Sequence, residues 1–174
     1  MNGIDPAFLA LFAAIGATIW FAAATRGRGS GALAAVGAVA VFGGGLIASL
    51  GLAHTVAVIG RALRGPSFVY DFRLYSLLLL GACQIAGGLR CLSTSWRLAR
   101  GDASAWRAAL AATTLLLIVN VPLMPITGVA GITSLPSAVM LFTLIATGRR
   151  FVRRSDAETV TIPGGIREHA SSAT

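Results

Sequence analysis

The stretch "ALAAVGAVAVFGGGLIASLGLAHTVAVIG", residues 32–60, decides the class of fold. It contains 29 residues without an acidic or basic side chain other than one histidine. At 1.5 Å rise per residue it extends about 43 Å as a helix, whereas the hydrocarbon core of a bilayer is about 30 Å thick. The stretch therefore predicts a membrane-spanning helix that tilts, bends or protrudes.

The composition of the whole chain agrees with a location in the membrane. Of the 174 residues, 56% are hydrophobic and 11% are charged, and the mean hydropathy is +0.80. An average soluble domain has about 25% charged residues. The net charge is +8, with arginine as the basic residue throughout. Because these arginines flank apolar runs, they predict contacts to membrane lipids and indicate no nucleic-acid partner.

Further apolar runs predict the other spans. Ala7–Ala24 and Leu74–Leu92 each match one crossing, and Ala108–Thr147 is an uncharged stretch of 40 residues, long enough for two. Pro122 and Pro125 mark the division of this stretch, since proline removes a helical hydrogen bond. We predict an all-α, polytopic transmembrane helix bundle in residues 1–154, with about five spans near 7–24, 32–60, 74–92, 108–123 and 128–147.

An alternative arrangement has four spans and a re-entrant segment. Ser134 and Pro136 are typical of a helix cap and a first helical turn, and a helix that begins there is short for a full crossing. Residues 155–174 are polar and contain Pro-Gly-Gly, so we expect a disordered cytoplasmic tail.

The arginines predict the orientation. With five spans, nine arginines in the loops and directly after the last span fall on one side and three on the other. The nine are Arg26, Arg28, Arg97, Arg100, Arg107, Arg149, Arg150, Arg153 and Arg154, and the three are Arg61, Arg64 and Arg73. The positive-inside rule then places the N-terminus outside and the C-terminus in the cytoplasm. Because arginine without lysine is typical of a GC-rich genome, we expect a bacterial cytoplasmic (inner) membrane.

The external connection after the second span is the first candidate site. It combines cationic, aromatic and acidic side chains, which predict binding of a lipid headgroup or a partner at the outer surface. The alternative is an aromatic belt with arginines that extend toward the interface. The candidate binding residues are Arg61, Arg64, Tyr70, Asp71 and Arg73, with Asp71 expected to pair with Arg64 or Arg73.

His54 is a candidate ligand for a cofactor. It lies seven residues before Arg61 and therefore on the same helix face. An imidazole there is suited to ligate a haem iron or a chlorophyll magnesium, although hydrogen bonding within the bundle is the commoner use. We expect no other cofactor and no other metal site.

Small and interfacial residues predict how the helices pack and where they are anchored. Gly45, Ser49 and Ala53 recur every four residues, and Gly81 and Gly87 offer matching small surface on the next span. We expect Asp102 to cap the following helix. The predicted membrane anchors are Trp96, Arg97, Trp106, Arg149, Arg150, Arg153 and Arg154.

These features favour a non-catalytic function. The spans contain no glutamate and no pair of carboxylates, and Gln84 and Asn120 are the central polar residues. We therefore expect an accessory subunit of a larger respiratory, photosynthetic or transport complex, with other integral membrane subunits as partners. The alternatives are a small oligomeric transporter or channel, a pigment- or haem-binding protein, and, with least support, a membrane enzyme.

The predicted orientation is testable with fusion proteins. A reporter active only in the cytoplasm should give a signal when fused after residue 174 and none when fused ahead of residue 1, because the arginines favour opposite sides for the two ends. Equal signals at both ends would exclude five spans.

Overall fold

The chain folds into long helices connected by short turns. The computed structural model describes residues 6–27, 30–63, 72–127 and 130–160, with side chains for residues 11–27, 30–63, 72–123, 125, 126 and 134–152. Within these ranges there are five helices and no strand. The helices are α1 (Pro6–Thr25), α2 (Gly31–Ala62), α3 (Phe72–Ala99), α4 (Ala103–Thr127) and α5 (Ala130–Val160).

Four helices are long and apolar enough to cross a membrane. These segments are Gly31–Ala62, Phe72–Ala99, Ala103–Leu123 and Ser134–Val152, and α1 contributes the shorter apolar helix Leu11–Thr25. This confirms an all-α bundle of about five helices with membrane-spanning character. A fifth crossing by α1 stays a prediction.

Helices α2 to α5 form a closed four-helix arrangement. Contacts join α2 to α3, α3 to α4, α4 to α5 and α5 back to α2, and α1 packs on α2. The ring of Phe21 on α1 also meets Trp96 on α3 edge-on, with 5.7 Å between centroids. Large apolar side chains such as Trp20, Leu115 and Phe142 lie on the outside, where a bilayer would surround them.

Glycines bring the backbones of α2 and α3 together. A Cβ placed on Gly51 would lie 2.6 Å from the carbonyl oxygen of Gly81, and one on Gly88 would lie 2.6 Å from the carbonyl oxygen of Gly44. No real side chain tolerates such distances, so these positions require glycine. Close backbone approach of this kind is the main source of attraction between helices in lipid.

Aromatic residues join the start of α4 to the later part of α5, far from the connection between the two helices. Trp106 stacks on Phe151 with 6.1 Å between ring centroids. Its indole Nε1 donates a hydrogen bond of 2.9 Å to the backbone carbonyl of Leu144. A Cβ on Gly148 would lie 2.9 Å from the same indole, so the absence of a side chain makes room for the ring.

The prolines lie inside helices. Helix α4 continues through Pro122 and Pro125 to Thr127, and α5 begins at Ala130, so the division of the long uncharged stretch falls just beyond the prolines. Proline has no N–H, which leaves the carbonyls of Ile118 and Val121 without their usual helical donors.

Helix α5 begins earlier in the sequence than the alternative with a re-entrant segment predicts. The helix already includes Ser134 and has Pro136 inside it, so Ser134 is not its cap. It also continues to Val160, six residues past Arg154, into the segment expected to form the tail. Residues 161–174 lie outside the described structure.

The turn between α3 and α4 is held by Asp102. Its Oδ1 accepts hydrogen bonds from the backbone N–H groups of Ser104 (2.7 Å) and Ala105 (3.2 Å), which confirms the predicted cap. Its Oδ2 lies 2.7 Å from Arg97 Nη2. Gly101 precedes it with φ of 83°, a left-handed conformation that favours glycine.

The glycine contacts between α2 and α3 predict a position-specific effect of alanine. Gly88→Ala should destabilise the bundle by about 1–3 kcal/mol, because the methyl group meets the backbone of α2. Gly60→Ala is the matched control, since a Cβ there has no atom within 4 Å and alanine favours a helix by about 0.5–1 kcal/mol. Unfolding in mild detergent measures both, and equal stabilities would contradict the close contact.

The Asp102 cap predicts a pH-dependent stability. Burial raises the pKa of Asp102, but hydrogen bonds from Ser104, Arg97 and the backbone outweigh this effect and lower the pKa to about 2. A lowered carboxyl pKa stabilises the fold above the ordinary value near 3.8, and this contribution is lost as the pH falls through about 2.

Asp102→Ala should therefore cost about 1 kcal/mol near neutral pH, the usual effect of a lost cap. The difference from the wild type should shrink between pH 4 and pH 2. Asp102→Asn keeps the capping oxygen and should lose less. Thermal unfolding across this range gives the comparison, and a deficit for Asp102→Ala that is the same at pH 2 and pH 7 would contradict it.

Candidate functional site

The largely apolar interior of the four-helix arrangement contains a group of buried or half-buried polar side chains. Each of α2 to α5 presents one row of buried residues to the centre. The apolar parts of these rows comprise Leu33, Val36, Ala40, Ile47, Cys91, Leu98, Ala105, Ala109, Leu116, Met140, Leu144 and Phe151. Continued by helical spacing, the rows reach His54, Gln84, Asn120 and Ser137, which we call the polar layer.

His54 and Gln84 are in direct contact within this layer. The imidazole Nδ1 of His54 lies 3.0 Å from Oε1 of Gln84. Because an amide oxygen only accepts hydrogen bonds, this contact is a hydrogen bond in the form of His54 that carries a proton on Nδ1. Gln84 is positioned by the glycine contact, since a Cβ on Gly51 would lie 2.8 Å from its Cβ.

The register of the helices brings Asn120 to the depth of Gln84. Gly87 on α3 lies against Leu116 on α4, and the two helices are antiparallel. Gln84 is three residues before Gly87 and Asn120 is four residues after Leu116, so both lie about one turn from that contact in the same direction. Ser137 lies about two turns from this depth, because Pro136 and Met140 meet Gly43 of α2, which is eight residues before Gly51, the residue that contacts Gln84.

Several polar atoms of this layer have no hydrogen-bond partner in the described part of the chain. Gln84, Asn120 and Ser137 are each 0% exposed. The atoms are Gln84 Nε2, Asn120 Oδ1, Asn120 Nδ2 and Ser137 Oγ. A buried polar group without a partner costs about 1–3 kcal/mol, so this arrangement requires further partners.

A second candidate site is a groove between α3 and α4. It has a volume of about 360 Å³ and is lined by Cys83, Ala86, Gly87, Arg90, Ala112, Leu115 and Leu116. Arg90 is exposed and is the charged residue of this lining. The groove is therefore an apolar surface with one cation at its edge.

Arg90 lies well inside the membrane-spanning part of α3. It is nine residues before the last residue of the helix, Ala99, which corresponds to about 14 Å. Helical side chains lean toward the N-terminus of their helix, so the guanidinium is directed away from the nearer end. Among the described side chains, Asp102 is the acidic residue, and its carboxylate pairs with Arg97 and not with Arg90.

The structure describes part of the site predicted at the external connection. Arg61 and Arg73 are exposed near the end of α2 and the start of α3. Arg64, Tyr70 and Asp71 lie outside the described residues, and so does the predicted pairing of Asp71. Ligand binding by this group stays a prediction.

The predicted packing residues are distributed over several contacts. Gly81 meets α2 and Gly87 meets Leu116 of α4, whereas a Cβ on Gly45 would lie 3.8 Å from Ala14 of α1. Ser49 is half-buried and Ala53 is exposed.

The predicted anchors lie near the helix ends. Trp96 meets Phe21 and has the guanidinium of Arg100 above its ring at 5.6 Å, and Trp106 packs on Phe151. Arg149 and Arg150 are exposed, and Arg153 and Arg154 belong to α5 with side chains outside the description. Membrane anchoring by these residues stays a prediction.

Two residues of these sites have weaker signals in the sequence. Arg90 is a basic residue between apolar neighbours, a pattern that in a membrane span indicates function by itself. Ser137 has no distinctive signal, because serine in an apolar helix usually bonds to a carbonyl of its own helix.

The cofactor prediction rests on His54 alone. Its Nδ1 contacts Gln84, so Nε2 is the ring nitrogen that would ligate a metal, with the ring oriented by Gln84. Among the described residues there is no cluster of three or more metal-ligating side chains. Ligation of haem or chlorophyll stays a prediction.

No family model matches this chain, and no curated protein or solved structure is significantly similar to it. Function is therefore inferred from the polar layer and the groove.

Proposed function

We propose that the protein is a non-catalytic integral membrane subunit that associates within the bilayer with another membrane protein through the groove between α3 and α4. The observation that carries this proposal is the exposed position of Arg90 at the edge of that groove. Insertion of an unpaired arginine into a membrane helix costs up to about 2.5–3.5 kcal/mol, the value at the helix centre, so an anionic partner is favoured.

A transmembrane helix with one carboxylate suits this groove. Small residues line it at Ala86, Gly87 and Ala112, which lets a neighbouring backbone approach closely. Leu115 is 61% exposed and extends the apolar contact surface. A carboxylate opposite Arg90 would form charge-assisted hydrogen bonds in a medium of low dielectric constant. Charge and shape thus favour the same partner.

Lipid headgroups are the second class of partner in this proposal. Arg61 and Arg73 are exposed near the ends of their helices, away from the groove. Each basic residue near an anionic membrane surface contributes about 1 kcal/mol of attraction. Arg61 and Arg73 therefore support contact with lipid headgroups at the outer surface, whereas Arg90 supports association with a protein partner.

The proposal is tested by photo-crosslinking in native membranes. A benzoylphenylalanine at position 115, inside the groove, should form an adduct with a second membrane protein, and Arg90→Gln should abolish it. Loss of a charge-assisted hydrogen bond of about 1.5–3 kcal/mol weakens binding roughly 10- to 150-fold. Arg90→Lys keeps the charge and should retain part of the adduct.

Two controls make the experiment specific. The same crosslinker at Phe142, an exposed residue of α5, should not form this adduct. Arg107→Gln removes an exposed arginine near the start of α4 and should leave the adduct unchanged. An adduct with lipid alone, or a protein adduct that is independent of Arg90, would contradict the proposal.

The polar layer favours a small transporter as the second candidate function. Such a protein needs hydrogen-bonding groups in its interior, and Gln84 and Asn120 provide them at the same depth. Reconstituted vesicles separate the two candidates: a transporter would lose solute flux in Asn120→Leu and keep it in Arg90→Gln. An assembly subunit would lose its partner in Arg90→Gln and keep it in Asn120→Leu.

A further inference from the structure

We propose that the polar layer is a hydrated binding site in the interior of the bundle. Its ligand is water, the smallest member of the class of uncharged molecules that both donate and accept hydrogen bonds. The inference does not depend on Arg90 or on a partner in the groove, because the hydrogen-bonding groups that it uses do not line the groove.

The chemistry of the layer calls for a ligand that both donates and accepts. Gln84 Nε2 and Asn120 Nδ2 are donors, Asn120 Oδ1 is an acceptor, and Ser137 Oγ acts as either. All of them are fully buried and without a partner in the described structure. An ion with full charge fits less well, since the described residues of the layer contribute no carboxylate or cation.

The position of these groups allows them to share a ligand. The carboxamides of Gln84 on α3 and Asn120 on α4 lie at the same depth, whereas Ser137 on α5 is about two turns away. A buried water molecule commonly makes about three hydrogen bonds, and the two carboxamides together offer three atoms without a partner: Gln84 Nε2, Asn120 Oδ1 and Asn120 Nδ2.

Thr113 shows that the need for an additional hydrogen-bond partner is specific to the polar layer. It is also 0% exposed and lies on the same row of α4. Its hydroxyl donates a 2.6 Å hydrogen bond to the carbonyl of Ala109, so it needs no further partner. The unpaired atoms are therefore not a general property of buried polar residues in this bundle.

Nuclear magnetic resonance of the full-length, 15N-labelled protein in lipid nanodiscs tests the proposal. The chain has three side-chain carboxamides, at Asn2, Gln84 and Asn120, so their signals are readily assigned. Magnetisation should pass from water to the NH₂ groups of Gln84 and Asn120. The backbone N–H groups of Leu116 and Met140, in the adjacent apolar layer, should receive none. Carboxamides of Gln84 and Asn120 that behave like these backbone groups would overturn the proposal.

Two variants test whether the water is shared. Asn120→Leu replaces the amide with an apolar group of similar size, and transfer to Gln84 should fall to the level of the apolar layer. Thr113→Val is the matched control and should leave the transfer unchanged. Undiminished transfer to Gln84 in Asn120→Leu would overturn the idea of a single shared site.

Discussion

The bundle depends on the close approach of the α2 and α3 backbones. In lipid, apolar side chains gain nothing from leaving water, so helices associate through packing and polar contacts. Gly44, Gly51, Gly81 and Gly88 permit this packing, because a side chain at any of them would collide with the opposite helix. The same contact sets the register that brings Gln84 to within hydrogen-bond distance of His54.

The sequence predicted the helices better than the faces by which they pack. Long apolar runs and loop arginines were sufficient to place the helices, and the cap at Asp102 followed from local chemistry. The face of α2 is harder, because small residues occur on all its sides. The four-residue repeat through Gly45 directed attention to one row, whereas the contact with α3 uses Gly44 and Gly51. Only the shape of the neighbouring helix distinguishes these rows.

The polar layer needed the three-dimensional register as well as the sequence. His54, Gln84 and Asn120 are visible individually as polar residues in apolar segments. Their common location depends on three antiparallel helices aligned to within one turn, and no local pattern encodes that alignment. Arg90 had a readable signal, but its importance comes from the groove beside it. The external site remains a prediction, because Arg64, Tyr70 and Asp71 lie outside the described residues.

The prolines of α4 give the bundle two ends of unequal stiffness. At one end, Trp106 is held by a stack on Phe151 and by a hydrogen bond to the carbonyl of Leu144. At the other end, Pro122 and Pro125 lack a backbone N–H, so two helical hydrogen bonds are missing next to Asn120. The helix can bend at this point without breaking a backbone hydrogen bond. Asn120 thus lies next to the more easily bent part of α4, whereas the Trp106 end is held firmly. Its amide can shift slightly without a change in the packing of the apolar core.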